Sequence, residues 1–479
     1  MSIRLNLNAA VLAMGVSSMV GAGCAQHTEQ SNPNIVFFFA DDLGWPQSGA
    51  YGSDYYHTPN IDRLAEEGIR FTDAYTAAAV CSPTRASLMT GKYPGRLHIT
   101  DFIPGNRRVD YPLTSPEMQQ FLPLEEFTLG NLFSEEGYST AMFGKWHLSP
   151  VKFGPESLPF YPDKQGFTHQ FVIDKPDRQS NPELDPHWSD LIGDRSVDFI
   201  SENGDNPFFL FMSFSAIHDP LIEKADSINM WRNHPGSDKP ENNPIIAAML
   251  SRLDRNVGKV LDAIDKAGLT DNTIVIFYSD NGGLAENNVV YYLDYYEEGE
   301  AMTIAKQTPL RKGKGWLYEG GIRVPLVMKW PGVIEQGMIS NEVVSSYDFM
   351  PTFCDLLDRI PPQNVDGVSI LSHLKTGEPL PQRNHYWHYP HYHHGSGMVP
   401  GGAVRSGNWK LIEWYEERIL HDGESALELY NLENDIGESV NLADSHQEIT
   451  QQLSAELENW RESIKAQMPV PNENYSNNE

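Results

Sequence analysis

Cys81-Ser82-Pro83-Thr84-Arg85 sets a thiol four residues ahead of a guanidinium. Pro83 suits the first turn of a helix, which places Cys81 near a helix N-terminus. Exposed N–H groups and the helix dipole there favour an anion or a thiolate, with Arg85 in the same first turns. A free cysteine packed as a small hydrophobe is the other reading of these residues. A second constellation is acidic. Phe37-Phe38-Phe39-Ala40-Asp41-Asp42 ends an apolar run on two carboxylates, and Ser279-Asp280-Asn281-Gly282-Gly283 ends another in the same manner. Three carboxylates and an amide oxygen form a hard donor set, suited to Ca²⁺ or Mg²⁺ and not to a thiophilic metal. Ordinary turn chemistry also uses Asp-Asp and Asp-Asn-Gly.

Three further motifs carry cations and imidazoles. In Phe143-Gly144-Lys145-Trp146-His147-Leu148, an extended backbone points Lys145 and His147 to one side, a pairing that suits an anionic ester. His218, in Ser215-Ala216-Ile217-His218-Asp219-Pro220, directly follows an apolar run. Taken alone, a surface lysine and satisfied structural histidines explain these as well. Leu310-Arg311-Lys312-Gly313-Lys314-Gly315 is followed by Glu319-Gly320-Gly321-Ile322-Arg323. Glycines around Lys314 allow the backbone to approach a ligand closely, and a basic flexible loop is the plainer alternative.

The elements that must position these residues are short. Ile35–Phe39, Thr140–Phe143, Phe208–Phe214 and Thr273–Tyr278 read as strands buried on both faces, with helical patterns at Asn60–Glu67, Pro83–Met89 and Met249–Lys266. Alternation of the two predicts an α/β fold: a large, mainly parallel sheet sandwiched by helices, with active residues beyond the strands' carboxyl ends. After Ile360-Pro361-Pro362 the texture changes. Ala403–Arg405, Trp409–Trp414 and Leu427–Leu432 read as strands and His446–Lys465 as an amphipathic helix, giving a smaller α+β subdomain with a short antiparallel sheet. The expected division is a leader at 1–25, a catalytic domain at 30–375 and the C-terminal subdomain at 376–479, with Pro469–Glu479 frayed.

The 479 residues carry 35 Lys+Arg against 65 Asp+Glu, a net charge of −30. So acidic a surface repels phosphate backbones and excludes nucleic acid as a partner. It also repels polyanions, so a pocket for an anionic substrate needs local positive charge. The three cysteines, Cys24, Cys81 and Cys354, allow one disulfide at most. Arg4 followed by the apolar stretch Leu5–Val20 and the small residues Gly21-Ala22-Gly23 is the pattern of an export signal. Two outcomes fit it: a lipid anchor on Cys24, as in a periplasmic or outer-membrane lipoprotein, or cleavage after Ala25 and soluble export or secretion.

Taken in order, these motifs resemble the type I, formylglycine-dependent sulfatase family of the alkaline phosphatase-like superfamily, and among its members exported bacterial arylsulfatase A-like carbohydrate sulfatases. Cys81–Arg85 matches its C-x-P-[ST]-R maturation signature, and Leu88, Thr90 and Gly91 match the following element, with Lys92 where arginine is commoner. The resemblance spans Asn34 to Leu442. It implies oxidation of Cys81 to formylglycine by a maturation enzyme, giving the nucleophile. It implies Asp41, Asp42, Asp280, Asn281 and residue 81 as ligands of one Ca²⁺, with Mg²⁺ the lesser alternative. It makes Arg85, Lys145, His147, His218 and Lys314 catalytic, with Lys312 a neighbour that could be mistaken for Lys314.

The expected substrate is an aryl sulfate or a sulfated saccharide. The aromatic and imidazole-rich run Asn384–His394 supplies candidate sugar contacts, Trp387, His388 and His391, together with Arg405. A packed junction and a histidine-rich metal site are the competing readings of that run. A phosphonate or phosphate monoester hydrolase of the same superfamily, a non-catalytic glycan-binding homologue and a two-zinc phosphatase are the functional alternatives.

Overall fold

The computed structural model describes residues 32–106, 110–150, 157–173, 184–285, 304–421, 423 and 426–475. The leader and Cys24 lie outside them. The larger sheet has eight strands: β1 (Asn34–Ala40), β2 (Ile69–Phe71), β3 (Ser139–Gly144), β4 (His169–Val172), β5 (Phe208–Ser213), β6 (Thr273–Ser279), β7 (Leu326–Lys329) and β8 (Met338–Ser340). Their order is β8-β2-β7-β6-β1-β5-β3-β4. All pairs are parallel except those of β7, which runs antiparallel to both neighbours.

Every residue of β1 is buried. Side chains alternate across a strand, so Ile35, Phe37 and Phe39 enter one core while Val36, Phe38 and Ala40 enter another. That is why the run is continuously apolar. The covering helices are α1 (Pro59–Glu66), α2 (Cys81–Thr90), α3 (Leu129–Glu135), α4 (Ser189–Asn203), α5 (Pro244–Lys266) and α6 (Phe349–Leu356). The first core takes side chains of α2, α3 and α6, and the second those of α1, α4 and α5. Asn243 starts the 23-residue α5 by accepting the N–H groups of Ile245 and Ile246.

A second, antiparallel sheet runs in chain order: β9 (Asn384–Tyr389), β10 (Gly401–Ser406), β11 (Trp409–Trp414) and β12 (Leu427–Asn431). One face packs on α7 (Gln447–Ser463) through Val404, Leu411, Leu453 and Leu457. The other packs Trp387, Ala403 and Ile412 on Ala79 and Val80, immediately before α2. The aromatic run begins as a strand paired in register with β10. One expectation changes here. Up to residue 475 the C-terminal segment is tied down rather than frayed, residues 476–479 lying outside the described residues: Val470–Pro471 pairs with Leu113–Thr114, and Asn472 Nδ2 donates to the Tyr111 carbonyl.

Lys410 of β11 joins the two sheets electrostatically. Its Nζ lies 2.8 Å from Glu319 Oε1 and 2.8 Å from Glu438 Oε1, and all three side chains are fully buried. Burial raises the Glu319 carboxyl, but Lys410 and Arg323 outweigh it and hold that group far below its usual range. For Glu438 burial wins over Lys410, and the carboxyl is pushed up to about 7. A carboxyl raised on folding stabilises the protein fully below its unfolded value, and that contribution is lost as pH climbs through the folded value. Between about pH 5 and about pH 8, the wild-type melting temperature is therefore expected to fall more steeply than that of Glu438→Gln. Parallel slopes in scanning calorimetry would contradict this.

Candidate active site

Four adjacent parallel strands end at one level. Ala40 of β1 is level with Ser279 of β6, Phe39 with Ser213 of β5, and Ser213 with Gly144 of β3. The next residues are Asp41-Asp42, Asp280-Asn281, Phe214 and Lys145, so the sheet delivers the acids and one cation to the same place. Gly144 is required at its position. Its φ is 115°, and a Cβ there would lie 1.8 Å from the Ser213 carbonyl oxygen. This turn redirects Lys145, whose N–H donates to that carbonyl at 2.8 Å. His147 has a φ of 56°, so the stretch is not extended and side-chain alternation is not what places the pair.

Arg85 Nε and Nη2 both donate to Asp280 Oδ2, at 3.0 and 2.6 Å. Its Nη1 donates to the Lys145 carbonyl and to Ser213 Oγ, at 2.8 and 2.6 Å. Lys145 Nζ lies 2.6 Å from Asp41 Oδ2 and 3.5 Å from Cys81 Sγ. Lys314 Nζ lies 2.7 Å from Asp42 Oδ2. Cys81 is the first residue of α2, whose N-cap residue Val80 offers no capping side chain, and its Sγ lies 3.7 Å from Asp41 Oδ1. Asn281 Nδ2 donates to Asp42 Oδ1 at 2.7 Å, while its Oδ1 is buried without a partner among the described residues. His218 Nδ1 donates to the Asp219 carbonyl at 2.7 Å, and its Nε2 lies 3.9 Å from Asp42 Oδ2. The structure thus gathers all the proposed metal and core catalytic residues except His147 through direct contacts. His147 bonds the Ile103 carbonyl instead, at 2.8 Å.

Lys314, not Lys312, belongs to this cluster; the Lys312 ammonium lies over the Trp316 ring. The glycines beside Lys314 do not make room for a ligand. A Cβ on Gly313 would meet the Gly283 carbonyl oxygen at 2.4 Å, and that carbonyl accepts the Lys314 N–H at 2.8 Å. Backbone packed on backbone fixes the lysine.

The electrostatics separate the groups. Burial raises the Asp41 carboxyl, but Lys145 and His218 outweigh it and bring it down to about 2. Asp42 is also lowered, because Lys314 and His218 outweigh burial. Burial and the neighbouring Asp41 raise Asp280, with Arg85 opposing them. Cys81 departs from the thiolate expectation. Burial pushes its thiol up to about 12, and the two lysines do not compensate. The donor atoms of Asp41, Asp42, Cys81 and His218 lie within 4.8 Å of one another, close enough to share one ion.

His187 was not legible in the sequence. It is buried, its Nε2 donates to the Pro220 carbonyl at 3.0 Å just beyond His218, and its Nδ1 has no partner among the described residues. No motif marks it, and chain distance hides the contact. The C-terminal candidates fall elsewhere. Trp387 Nε1 donates to the Thr76 carbonyl at 2.7 Å. His388 bonds Tyr415 Oη and the Gln467 carbonyl. Arg405 pairs with Asp73 at 2.7 Å. Buried and engaged with protein groups, these three are junction residues, which corrects the expectation of sugar contacts. His391 bonds Thr100 Oγ1 and lines a cavity of about 710 Å³ together with Asp101, Tyr111 and Gln120.

Comparison with known proteins gives two family matches: the sulfatase model over residues 33–359, and the model described as N-sulphoglucosamine sulphohydrolase, C-terminal, over residues 312–463. Human arylsulfatase A is 31% identical, the alignment covering 86% of this chain and 83% of that protein. The N-acetylgalactosamine-6-O-sulfatase of Bacteroides thetaiotaomicron is 27% identical, covering 91% and 96%. The crystal structure of Ps i-CgsB in complex with k-i-k-neocarrahexaose superposes with a TM-score of 0.73 at 28% identity, covering 91% of this chain and 94% of that one.

Arg85→Met leaves Asp280 buried beside Asp41 with no guanidinium. A loss of about 3–5 kcal/mol in urea unfolding is expected for breaking such a pair. A loss under about 1 kcal/mol, the scale of a surface pair, would show that the fork is not structural.

Proposed function

This chain belongs to the sulfatase family of sulfuric ester hydrolases, and from that premise we propose that it releases sulfate from a sulfated saccharide, using residue 81 as formylglycine beside one calcium ion. The observation that carries the reading is the convergence of Cys81, three buried carboxylates and three buried cations at the ends of β1, β3 and β6 and the start of α2. The residues fit a hard divalent cation. Asp41, Asp42 and Asp280 offer carboxylate oxygens, and Asn281 Oδ1 is a buried acceptor that no donor among the described residues satisfies. Calcium there would neutralise sulfate oxygens and favour ionisation of a hydroxyl at residue 81. Formylglycine, once hydrated, would supply that hydroxyl as the nucleophile towards sulfur.

The rest is done by the chain's own side chains. Arg85, Lys145 and Lys314 carry fixed positive charge into a buried site, where it stabilises an anionic ester more as charge moves in the transition state. The Asp219 carbonyl holds the Nδ1 proton of His218, so the ring, once protonated on Nε2 as well, gives that second proton to the departing sugar oxygen and returns to its neutral form. His147 keeps a free Nδ1 lone pair to accept a proton from the hydroxyl at residue 81. The saccharide reading draws on relatives that act on N-acetylgalactosamine sulfate or bind a neocarrahexaose. Export through the leader is part of the same proposal, since sulfated polysaccharides are met outside the cell.

In protein matured in its native host, the tryptic peptide containing Cys81 is expected to carry the aldehyde by intact mass. Cys81→Ala is expected to lower sulfate release by at least about 10³-fold with an unchanged melting temperature. Near-native turnover in that variant rules out residue 81 as the nucleophile. Aryl sulfate, phosphate and phosphonate esters compared by kcat/KM identify the preferred acid, and preference for the phosphonate would overturn the sulfatase reading.

A further inference from the structure

The segment Thr100–Asn106 touches the active site through one residue and the C-terminal sheet region through four. On the active-site side, the Ile103 N–H donates to Ser82 Oγ at 3.0 Å, beside Cys81. The Ile103 carbonyl oxygen bonds His147 Nε2 at 2.8 Å. A carbonyl oxygen can only accept, so Nε2 carries the proton of this imidazole. Burial, with Lys145 nearby, holds the ring neutral by lowering it well below its ordinary value. Nδ1 is then an unprotonated lone pair, buried and with no hydrogen-bond partner among the described residues.

On the other side, the segment is clamped. Tyr389, at the end of β9, donates its hydroxyl to Asp101 Oδ1 at 2.5 Å. Asp101 in turn accepts the N–H groups of Phe102 and Asn106, at 2.8 and 3.2 Å, which shapes the turn that presents Ile103. Thr100 Oγ1 bonds His391 Nε2 at 2.8 Å, Asn106 Nδ2 donates to the Tyr392 carbonyl at 2.9 Å, and Phe102 packs edge-on against His393. Asp101 is fully buried and Tyr389 is 1% exposed. Both polar groups are therefore fixed to one another, not shared with solvent.

The geometry points to Tyr389 and Asp101 as positioning residues: they hold the Thr100–Asn106 segment so that the Ile103 carbonyl selects the His147 tautomer with its lone pair on Nδ1. This assigns a task to the tyrosine- and histidine-rich run that the sugar-contact reading left without one. A bond to an acceptor is the standard way a protein chooses between two imidazole tautomers. Small displacements of such a support are costly, since about 1 Å of misplacement can lower a rate by about 10²-fold. The part of the inference that concerns rate rests on His147 being the proton acceptor proposed above. The part that concerns the tautomer does not.

The test uses the matured full-length enzyme labelled with ¹⁵N-histidine, the His147 signals being identified by their loss in His147→Gln. The wild type is expected to show an N–H at Nε2 and a bare Nδ1. Tyr389→Phe keeps the ring and removes one hydroxyl. It is expected to blur that pattern and to lower kcat about tenfold, with KM changed less than about twofold. In the His147→Gln background the same change is expected to alter kcat by less than about twofold, because its effect passes through His147. Effects that multiply in the double variant, or a wild-type proton on Nδ1, would overturn the inference. Asp101→Asn, which removes the acceptor for the Asn106 N–H, takes the place of Tyr389→Phe if the latter does not fold. Sulfate release with the wrong tautomer would sink the clamp alone. The expected tautomer with no sulfate release from matured enzyme would sink the functional reading alone.

Discussion

Three carboxylates and three cationic side chains, all buried, face one another at the ends of adjacent strands. Asp41 meets Lys145, Asp42 meets Lys314, and Asp280 meets Arg85. Removing any one of these ions from water costs several kcal/mol, and only close pairing offsets it. The rest of the molecule is arranged around that requirement. The parallel register of β6, β1, β5 and β3 fixes the acids at one level. The turn at Gly144, the first turns of α2 and the backbone-packed loop around Gly313 bring the cations to them. A shift in any of these elements would strand a charge.

In formal terms the six groups sum to zero, which gives the cluster a particular reactivity. It has no net charge with which to attract a divalent cation or an anion alone, but a cation on the carboxylate side and an anion on the ammonium side compensate one another. The protein as a whole carries a net charge of −30. Its field repels an anionic ester at long range, so binding rests on these local cations. The C-terminal sheet contributes indirectly. Through Lys410 it is tied to Glu319, whose loop carries Lys314. Through Trp387 and Ala403 it packs on the residues that lead into Cys81.

Much of this was legible in the sequence, because the strands are short, apolar and end on charged residues. β1, β3, β5 and β6 lie within a residue or so of the runs that mark them, and four of the five motifs follow strand ends or open a helix as expected, the Lys314 run lying in a loop. Departures occurred where long-range contacts decide. Lys145 owes its placement to Gly144 packing on Ser213, a neighbour 69 residues away in the chain, and His147 is held by the Ile103 carbonyl. Aromatic and imidazole side chains in 384–394 have the composition of a sugar platform, yet strand pairing buries most of them. Burial also reverses the thiolate expected at Cys81, since desolvation exceeds the help of a helix end and two lysines. His187 and the antiparallel β7 have no local signature at all.

The central claim is that this neutral cluster takes a divalent cation and a sulfate group together. Linkage makes that claim measurable, because two ligands that favour each other must do so reciprocally. Calorimetric titration of inorganic sulfate into chelator-treated and into calcium-saturated protein tests it most directly. The account predicts that calcium tightens sulfate binding by at least about tenfold, within the usual range of coupling between sites. Sulfate affinity that is unchanged or weakened by calcium would contradict it.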